Sequence, residues 1–304
     1  MEKIIAFFMT IITFICSIFG ISIGTKDVPE GVTTAQNVAY GELAREKLDI
    51  AYPASSGGTV SVVLSIHGGA WIEGDKCYYD NDTLSFAEMG YIGAQMNYTF
   101  ISNTTHCDLI LDEITLALQK IKSEAAAKGF TVDKYVVRGI SAGGHLATLY
   151  AYSRGAESGI SPAFVENKCG PNALEYISML STLLSTSTLG STEYIASLIS
   201  NLCGVTVTTD NLEDPTVKAA LEAVSATHFI DTAVPTITCH GLIDTIVPYV
   251  NATILQGLLN NKGIENKLYT FTSSGHALSS DPDIAAEETE TLHAWMAQYL
   301  TKAA

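Results

Sequence analysis

The chain has 304 residues, 47% of them hydrophobic, which suffices for one large α/β core or two small ones and excludes a disordered protein. Acidic side chains outnumber basic ones 32 to 16, and the net charge of −16 repels nucleic acid and anionic membrane surfaces, excluding both as main partners. Otherwise that charge serves solubility.

Residues 1–24 stand apart from the rest. Lys3 precedes a nearly unbroken apolar run from Ile4 to Ile23, and Ser22-Ile23-Gly24 places small residues where a signal peptidase cuts. The segment reads as a signal peptide cleaved before Thr25, with an uncleaved N-terminal membrane anchor as the alternative, so the location is secreted or extracytoplasmic. Phe14 and Ile15 stand before Cys16 where a lipoprotein needs small residues. Cys77, Cys107, Cys169, Cys203 and Cys239 remain, an odd number. Cys77 with Cys107, or Cys169 with Cys203, are pairs the sequence allows without fixing connectivity, and Cys239 reads as a small buried hydrophobe. The Cys and His spacings do not suggest zinc, so no metal is expected. Asn-x-Ser/Thr sites occur at Asn81, Asn97, Asn103 and Asn251 and matter only in a eukaryote.

After the leader, Asn37 to Tyr40 and Lys47 to Tyr52 read as short strands, closed by Pro53 and the turn-rich Ser55-Ser56-Gly57-Gly58. Val60 to Ile66 is a β-branched apolar run, the mark of a central strand. Thr83 to Met89 forms a short helix and Tyr91 to Asn97 the next strand. Leu109 to Lys128, apolar at Leu109, Ile110, Ile114, Leu118 and Ile121, is an amphipathic helix. Lys134 to Arg138 is a strand, Gly144 to Ser153 a helix, and Ala163 to Val165 a further short strand. From Pro171 to Phe229 the pattern changes to serine- and threonine-rich helices at Ala173 to Ser185, Glu193 to Leu202 and Asp214 to Val224. Strand and helix alternation then resumes with Pro235 to His240, Asn251 to Asn260, Lys267 to Phe271 and Ile284 to Leu300. Such alternation predicts an α/β protein with a mostly parallel sheet flanked by helices. Residues 25–304 form one domain in this reading, with 171–229 inserted as a helical cap.

Four motifs follow predicted strands, on the sheet edge where ligands bind. In Gly139-Ile140-Ser141-Ala142-Gly143, small neighbours let strand and helix approach while the serine sits at the strained apex. The pentapeptide alone is weak, but the strand before it and the helix after it raise Ser141 to candidate nucleophile. Gly241-Leu242-Ile243-Asp244 supplies a candidate acid and Ser274-Gly275-His276 a candidate base, completing what acyl transfer needs. In His67-Gly68-Gly69-Ala70-Trp71, small residues let backbone N–H groups face the site. Gly69 and Ala70 are the expected oxyanion donors, with Gly68 the alternative and Ala142 the donor after the nucleophile.

On these motifs, residues Val38 to Leu300 resemble the α/β-hydrolase superfamily. Within it the likeness is to His-Gly-Gly-x-Trp esterases: hormone-sensitive-lipase-like carboxylesterases, feruloyl and acetyl-xylan esterase-like proteins, and kynurenine formamidases. The resemblance implies an α/β-hydrolase fold and cofactor-free hydrolysis of small-molecule or polysaccharide esters. An amidase, peptidase or formamidase with the same triad is the alternative, although peptidase relatives usually carry another domain. A non-catalytic binding protein on this fold would be expected to have lost a triad member. Related esterases often have Asn-Tyr-Arg where this chain has Asn97-Tyr98-Thr99, which removes a structural ion pair.

The other polar and aromatic candidates have plainer readings. His145 stands too close in sequence to serve Ser141 as base and reads as a packing residue, His240 is structural, and His67 pins the oxyanion loop. Asp231 and Asp281 are alternative acids, but neither directly follows a strand. Trp71 is a substrate-binding candidate with core packing as an equal competitor, and Tyr78, Tyr79 and Tyr98 are weaker candidates of that kind.

Overall fold

The computed structural model describes residues 27–304, so the leader expected at 1–24 lies outside the described residues. Strand β3 (Gly58–Ile66) is buried without interruption from Val60 to Ile66, as a strand covered on both faces must be. It pairs in parallel with β4 (Ile92–Met96) and β5 (Phe130–Ile140). With β1 (Thr33–Ala39), β2 (Lys47–Tyr52), β6 (Ser161–Lys168), β7 (Thr236–Gly241) and β8 (Asn266–Phe271), these build an eight-stranded sheet in the order β1-β2-β4-β3-β5-β6-β7-β8. The β1–β2 and β2–β4 pairings are antiparallel and the remainder parallel. All parallel strands therefore end on one edge.

The helices are α1 (Asp80–Glu88), α2 (Cys107–Ala127), α3 (Ala142–Ser153), α4 (Ile177–Thr186), α5 (Thr192–Cys203), α6 (Pro215–Ala223), α7 (Val250–Lys262) and α8 (Pro282–Tyr299). Helix α2 buries Ile110, Ile114, Leu118 and Ile121 in a core shared with Val62 and Leu64 of β3. Helix α8 buries Leu292, Trp295 and Met296 in a second cluster with Val63, Val136 and Phe164. Alternate residues of β3 thus feed cores on opposite faces, and each fully buried Ile or Leu contributes about 1.5–3 kcal/mol. Among the described residues no helix is long and apolar enough to cross a membrane.

Several boundaries differ from expectation for identifiable reasons. Strand β6, expected only at Ala163 to Val165, continues through Glu166, Asn167 and Lys168. Charged residues are tolerated there because Glu166 is ion-paired to Arg138 of β5 and to Lys168, which also reaches Glu288 of α8 at 2.9 Å. Strand β1 begins at Thr33, and its pairing with β2 is irregular between Ala35 and Val38, where Asn37 has φ of 53°. Helix α4 starts at Ile177 and not at Ala173, because the intervening amides are held elsewhere: Ala173 N–H donates to Asn251 Oδ1 and Glu175 N–H to Ser225 Oγ. Cys77, Cys107, Cys169, Cys203 and Cys239 are free thiols, so neither pair considered from sequence is formed, and Cys239 is buried within β7.

Candidate active site

Ser141 occupies the turn between β5 and α3 with φ 56° and ψ −125°, a conformation that a non-glycine residue holds only when its surroundings impose it. The flanking glycines show how. A Cβ on Gly139 would lie 2.5 Å from the Gly143 carbonyl carbon, and one on Gly143 would lie 2.0 Å from the Ile66 oxygen. Strand β5, helix α3 and the end of β3 are packed backbone to backbone at this point. The Ser141 amide donates to Lys168 O at 2.7 Å, anchoring the turn to the end of β6.

Asp244 and His276 sit on the loops that follow β7 and β8. These loops meet because residue 241 has no side chain: a Cβ there would stand 2.3 Å from Gly275 O and 2.5 Å from Ser274 O. His276 Nδ1 lies 2.7 Å from Asp244 Oδ2, while Asp244 Oδ1 accepts the Ile246 and Val247 amides at 2.8 and 3.0 Å. Burial works to raise the Asp244 carboxyl, but hydrogen bonds from His240 and His276 outweigh it and hold the group below the ordinary carboxylate range. Asp244 is therefore ionised and accepts Nδ1–H of His276, which leaves Nε2 as the ring nitrogen directed away from the carboxylate. The other acids considered are committed elsewhere: Asp281 accepts from Thr272 Oγ1, Ser273 N and Ser274 Oγ, and Asp231 pairs with Lys262.

The loop after β3 lies against Ser141, where a Cβ on Gly68 would be 3.3 Å from Ser141 Cβ. Gly69, Ala70 and Trp71 all have positive φ, of 113°, 49° and 62°, and the Ile72 and Glu73 amides turn back onto Gly69 O at 3.0 Å. His67 pins this loop: its Nδ1–H donates to Gly68 O at 2.7 Å and its ring stacks on Tyr98 at 4.2 Å. Burial lowers its pKa to about 4, so the ring is neutral and Nε2 accepts from Arg45 at 3.3 Å. Arg45, from the turn between β1 and β2, also donates to Tyr98 O and Gly74 O and lies 3.8 Å over the Phe100 ring. It brings a guanidinium to the loop although position 99 is threonine, while Thr99 itself donates to Glu113 through its amide and its hydroxyl.

His145 joins three elements. Its Nδ1 accepts Trp71 Nε1–H at 3.2 Å, and its Nε2–H donates to Val224 O at 2.7 Å just after α6. Burial lowers its pKa to about 4, so it is a neutral tie. His240 is less detached than its sequence position suggests, because its Nε2–H donates to Val247 O at 2.9 Å and lies 3.4 Å from Asp244 Oδ2. With Cys169, whose φ is 53°, these form a group whose ligand-type atoms lie within 4.8 Å of one another. The donors already committed to Asp244 make the group a support for that carboxylate. Sequence reasoning missed Arg45, Glu113 and Cys169, because a lone residue of each type carries no local pattern.

Ser141, Ala142, His276, Ala70 and Trp71 line one open cleft, whose empty space of about 560 Å³ includes solvent at its mouth. Helices α4 and α5 contribute Leu183, Ile195, Leu198 and Ile199 to its wall. Tyr98 instead packs beneath His67, Tyr78 meets its edge at 6.4 Å, and Tyr79 lies against Arg138.

The BD-FAE family model, of α/β-hydrolase esterases, matches residues 48–259. The chain belongs to the BD-FAE family. This BD-FAE chain is 35% identical over 119 residues to a probable carboxylic ester hydrolase, LipM, of Mycobacterium tuberculosis, covering 38% of this chain and 27% of that protein. It is 29% identical over 112 residues to an isoprenylcysteine alpha-carbonyl methylesterase of Arabidopsis thaliana, covering 37% and 26%. The match thus spans about a quarter of these relatives' length. In structure it is similar to esterase B of Lactobacillus Rhamnosis, with a TM-score of 0.70 and 20% identity over 97% of this chain and 94% of that one. The fold is therefore the α/β-hydrolase fold.

Proposed function

We propose that this protein is a serine carboxylesterase acting on small esters, carbohydrate-linked ones included, through an acyl-enzyme on Ser141. The carrying observation is a convergence: a serine held at a strained strand-to-helix turn, and a histidine bonded through Nδ1 to a buried carboxylate, line the same cleft. Nε2 of His276 takes the Ser141 proton as Oγ attacks the ester carbonyl, and Asp244 stabilises the imidazolium that results. The amides of Gly69, Ala70 and Ala142, with Gly68 the alternative, hold the oxyanion; one such donor is worth ~3–4 kcal/mol in the transition state. His276 returns its proton to the leaving alcohol, and water then repeats the sequence on the acyl-enzyme.

The cap over 171–229 supports selection of the acyl or alcohol part, since its leucines and isoleucines wall the cleft. The apolar run at 4–23, followed by small residues, supports export of the domain at 25–304. A fluorophosphonate should label the native protein at Ser141. Ser141→Ala should lower kcat on p-nitrophenyl butyrate by ~10⁴–10⁶-fold with an unchanged circular dichroism spectrum, and turnover retained in that variant refutes the assignment.

A further inference from the structure

The cleft beside Ser141 carries one charge that the ester chemistry does not use. Glu73 lines it, while the other lining residues are Ser141, His276 and uncharged, almost wholly apolar side chains. The oxyanion loop sets the position of Glu73. Its amide donates to Gly69 O at 3.0 Å, and its side-chain stem lies so near that a Cβ on Gly69 would be 3.0 Å from Glu73 Cγ. Arg45, the cation that serves this loop, is turned to Tyr98 O, Gly74 O and the Phe100 ring. Among the described residues the Glu73 carboxylate has no hydrogen-bond or ion-pair partner, and burial alone raises its pKa. Glu73 is exposed overall, so its carboxylate stands at the mouth of an apolar cleft, where the solvation it does lose is offset by no counter-charge. A ligand that brings the opposite charge supplies that missing partner.

We propose that Glu73 selects substrates by charge, favouring esters with a quaternary or protonated ammonium a few ångströms from the scissile bond and disfavouring anionic esters. The proposal rests on the reading of Ser141 as nucleophile, since Glu73 acts on whatever is bound beside it. Unit charges ~6 Å apart across a partly solvated gap interact strongly enough to change kcat/KM about fivefold in each direction. The overall charge of −16 acts on every variant nearly alike, so a substitution at position 73 isolates the local effect.

The test uses p-nitrophenyl esters of matched shape: 4-(trimethylammonio)butyrate, its neutral isostere 5,5-dimethylhexanoate, and the anionic hemiglutarate. The readout is the ratio of kcat/KM values within each protein, so a general loss of activity cancels. In Glu73→Gln the cationic-to-neutral ratio should fall about fivefold and the anionic-to-neutral ratio should rise by a similar factor. Glu73→Ala should repeat the shift, and 0.5 M NaCl should shrink the difference between native protein and variants. Ratios in both variants equal to the native ones at low salt overturn the role of Glu73 while leaving the esterase reading intact. Absence of both turnover and fluorophosphonate labelling in the native protein refutes the nucleophile assignment, and this proposal with it.

Discussion

Replacing Gly241 by alanine tests whether the two loops at the candidate site must meet as closely as they do. The new Cβ would stand 2.3 Å from Gly275 O and 2.5 Å from Ser274 O, against about 3.4 Å for ordinary contact, and both obstacles are backbone. The loop carrying His276 has to retreat by about 1 Å, which takes the 2.7 Å bond between His276 Nδ1 and Asp244 Oδ2 beyond hydrogen-bonding distance. A displacement of that size in a catalytic group costs ~10²-fold in rate, or ~2.7 kcal/mol of transition-state stabilisation. Overpacking should lower stability by ~1–3 kcal/mol in addition. The assay is kcat on p-nitrophenyl butyrate well below the melting temperature, in native protein, Gly241→Ala, Asp244→Asn and the double variant. If the wedge acts through the Asp244–His276 bond, the two losses are not additive and Gly241→Ala adds little on the Asp244→Asn background. A kcat within threefold of native in Gly241→Ala, or fully additive losses, refutes this account.

Asp244→Asn by itself should lower kcat by ~10⁴-fold, because an amide at that position no longer holds the Nδ1–H tautomer of His276. It should also change the acid limb of stability. The Asp244 carboxyl is held below its ordinary value, so its stabilisation is complete above the unfolded value of about 3.9 and is lost as pH falls through the lower folded one. Melting temperature plotted against pH should therefore fall less steeply below pH 4 in Asp244→Asn than in the native protein; parallel curves refute the linkage. Arg138→Met removes the guanidinium that pairs with Glu166 and Asp82, leaving the buried Glu166 with Lys168 alone. Breaking one side of a buried pair costs ~3–5 kcal/mol, to be measured by urea unfolding, and a loss below 1 kcal/mol shows that the pair is dispensable.

Strand β3 was legible because burial on both faces leaves an unbroken Val, Leu and Ile run, and helix α2 because its apolar residues recur at helical spacing. The turn at Ser141 was legible for a related reason, since the small residues on either side of it report a close approach that Gly139 and Gly143 make in part to each other, although the Ile66 oxygen that Gly143 also meets comes from β3. Strand β6 was only half visible: its apolar run stops at Val165, and Glu166 and Lys168 continue it because Arg138 and Glu288 are brought to them from other elements. His240 looked structural because nothing local reveals that its Nε2 comes within 3.4 Å of Asp244 Oδ2. Arg45 carries no signal at all; it meets His67 only because the β1–β2 turn folds over the loop after β3.

The sequence by itself determined the alternation of strand and helix, the position of each motif after a strand, and the chain order of Ser141, Asp244 and His276. These follow from side-chain periodicity and from steric limits acting over a few residues. Tertiary structure alone decided which side chains share the cleft, how α4 and α5 wall it, and that Glu73 stands at its mouth unpaired. Those outcomes depend on elements far apart in the chain packing together, and one-dimensional spacing does not encode the distances between them.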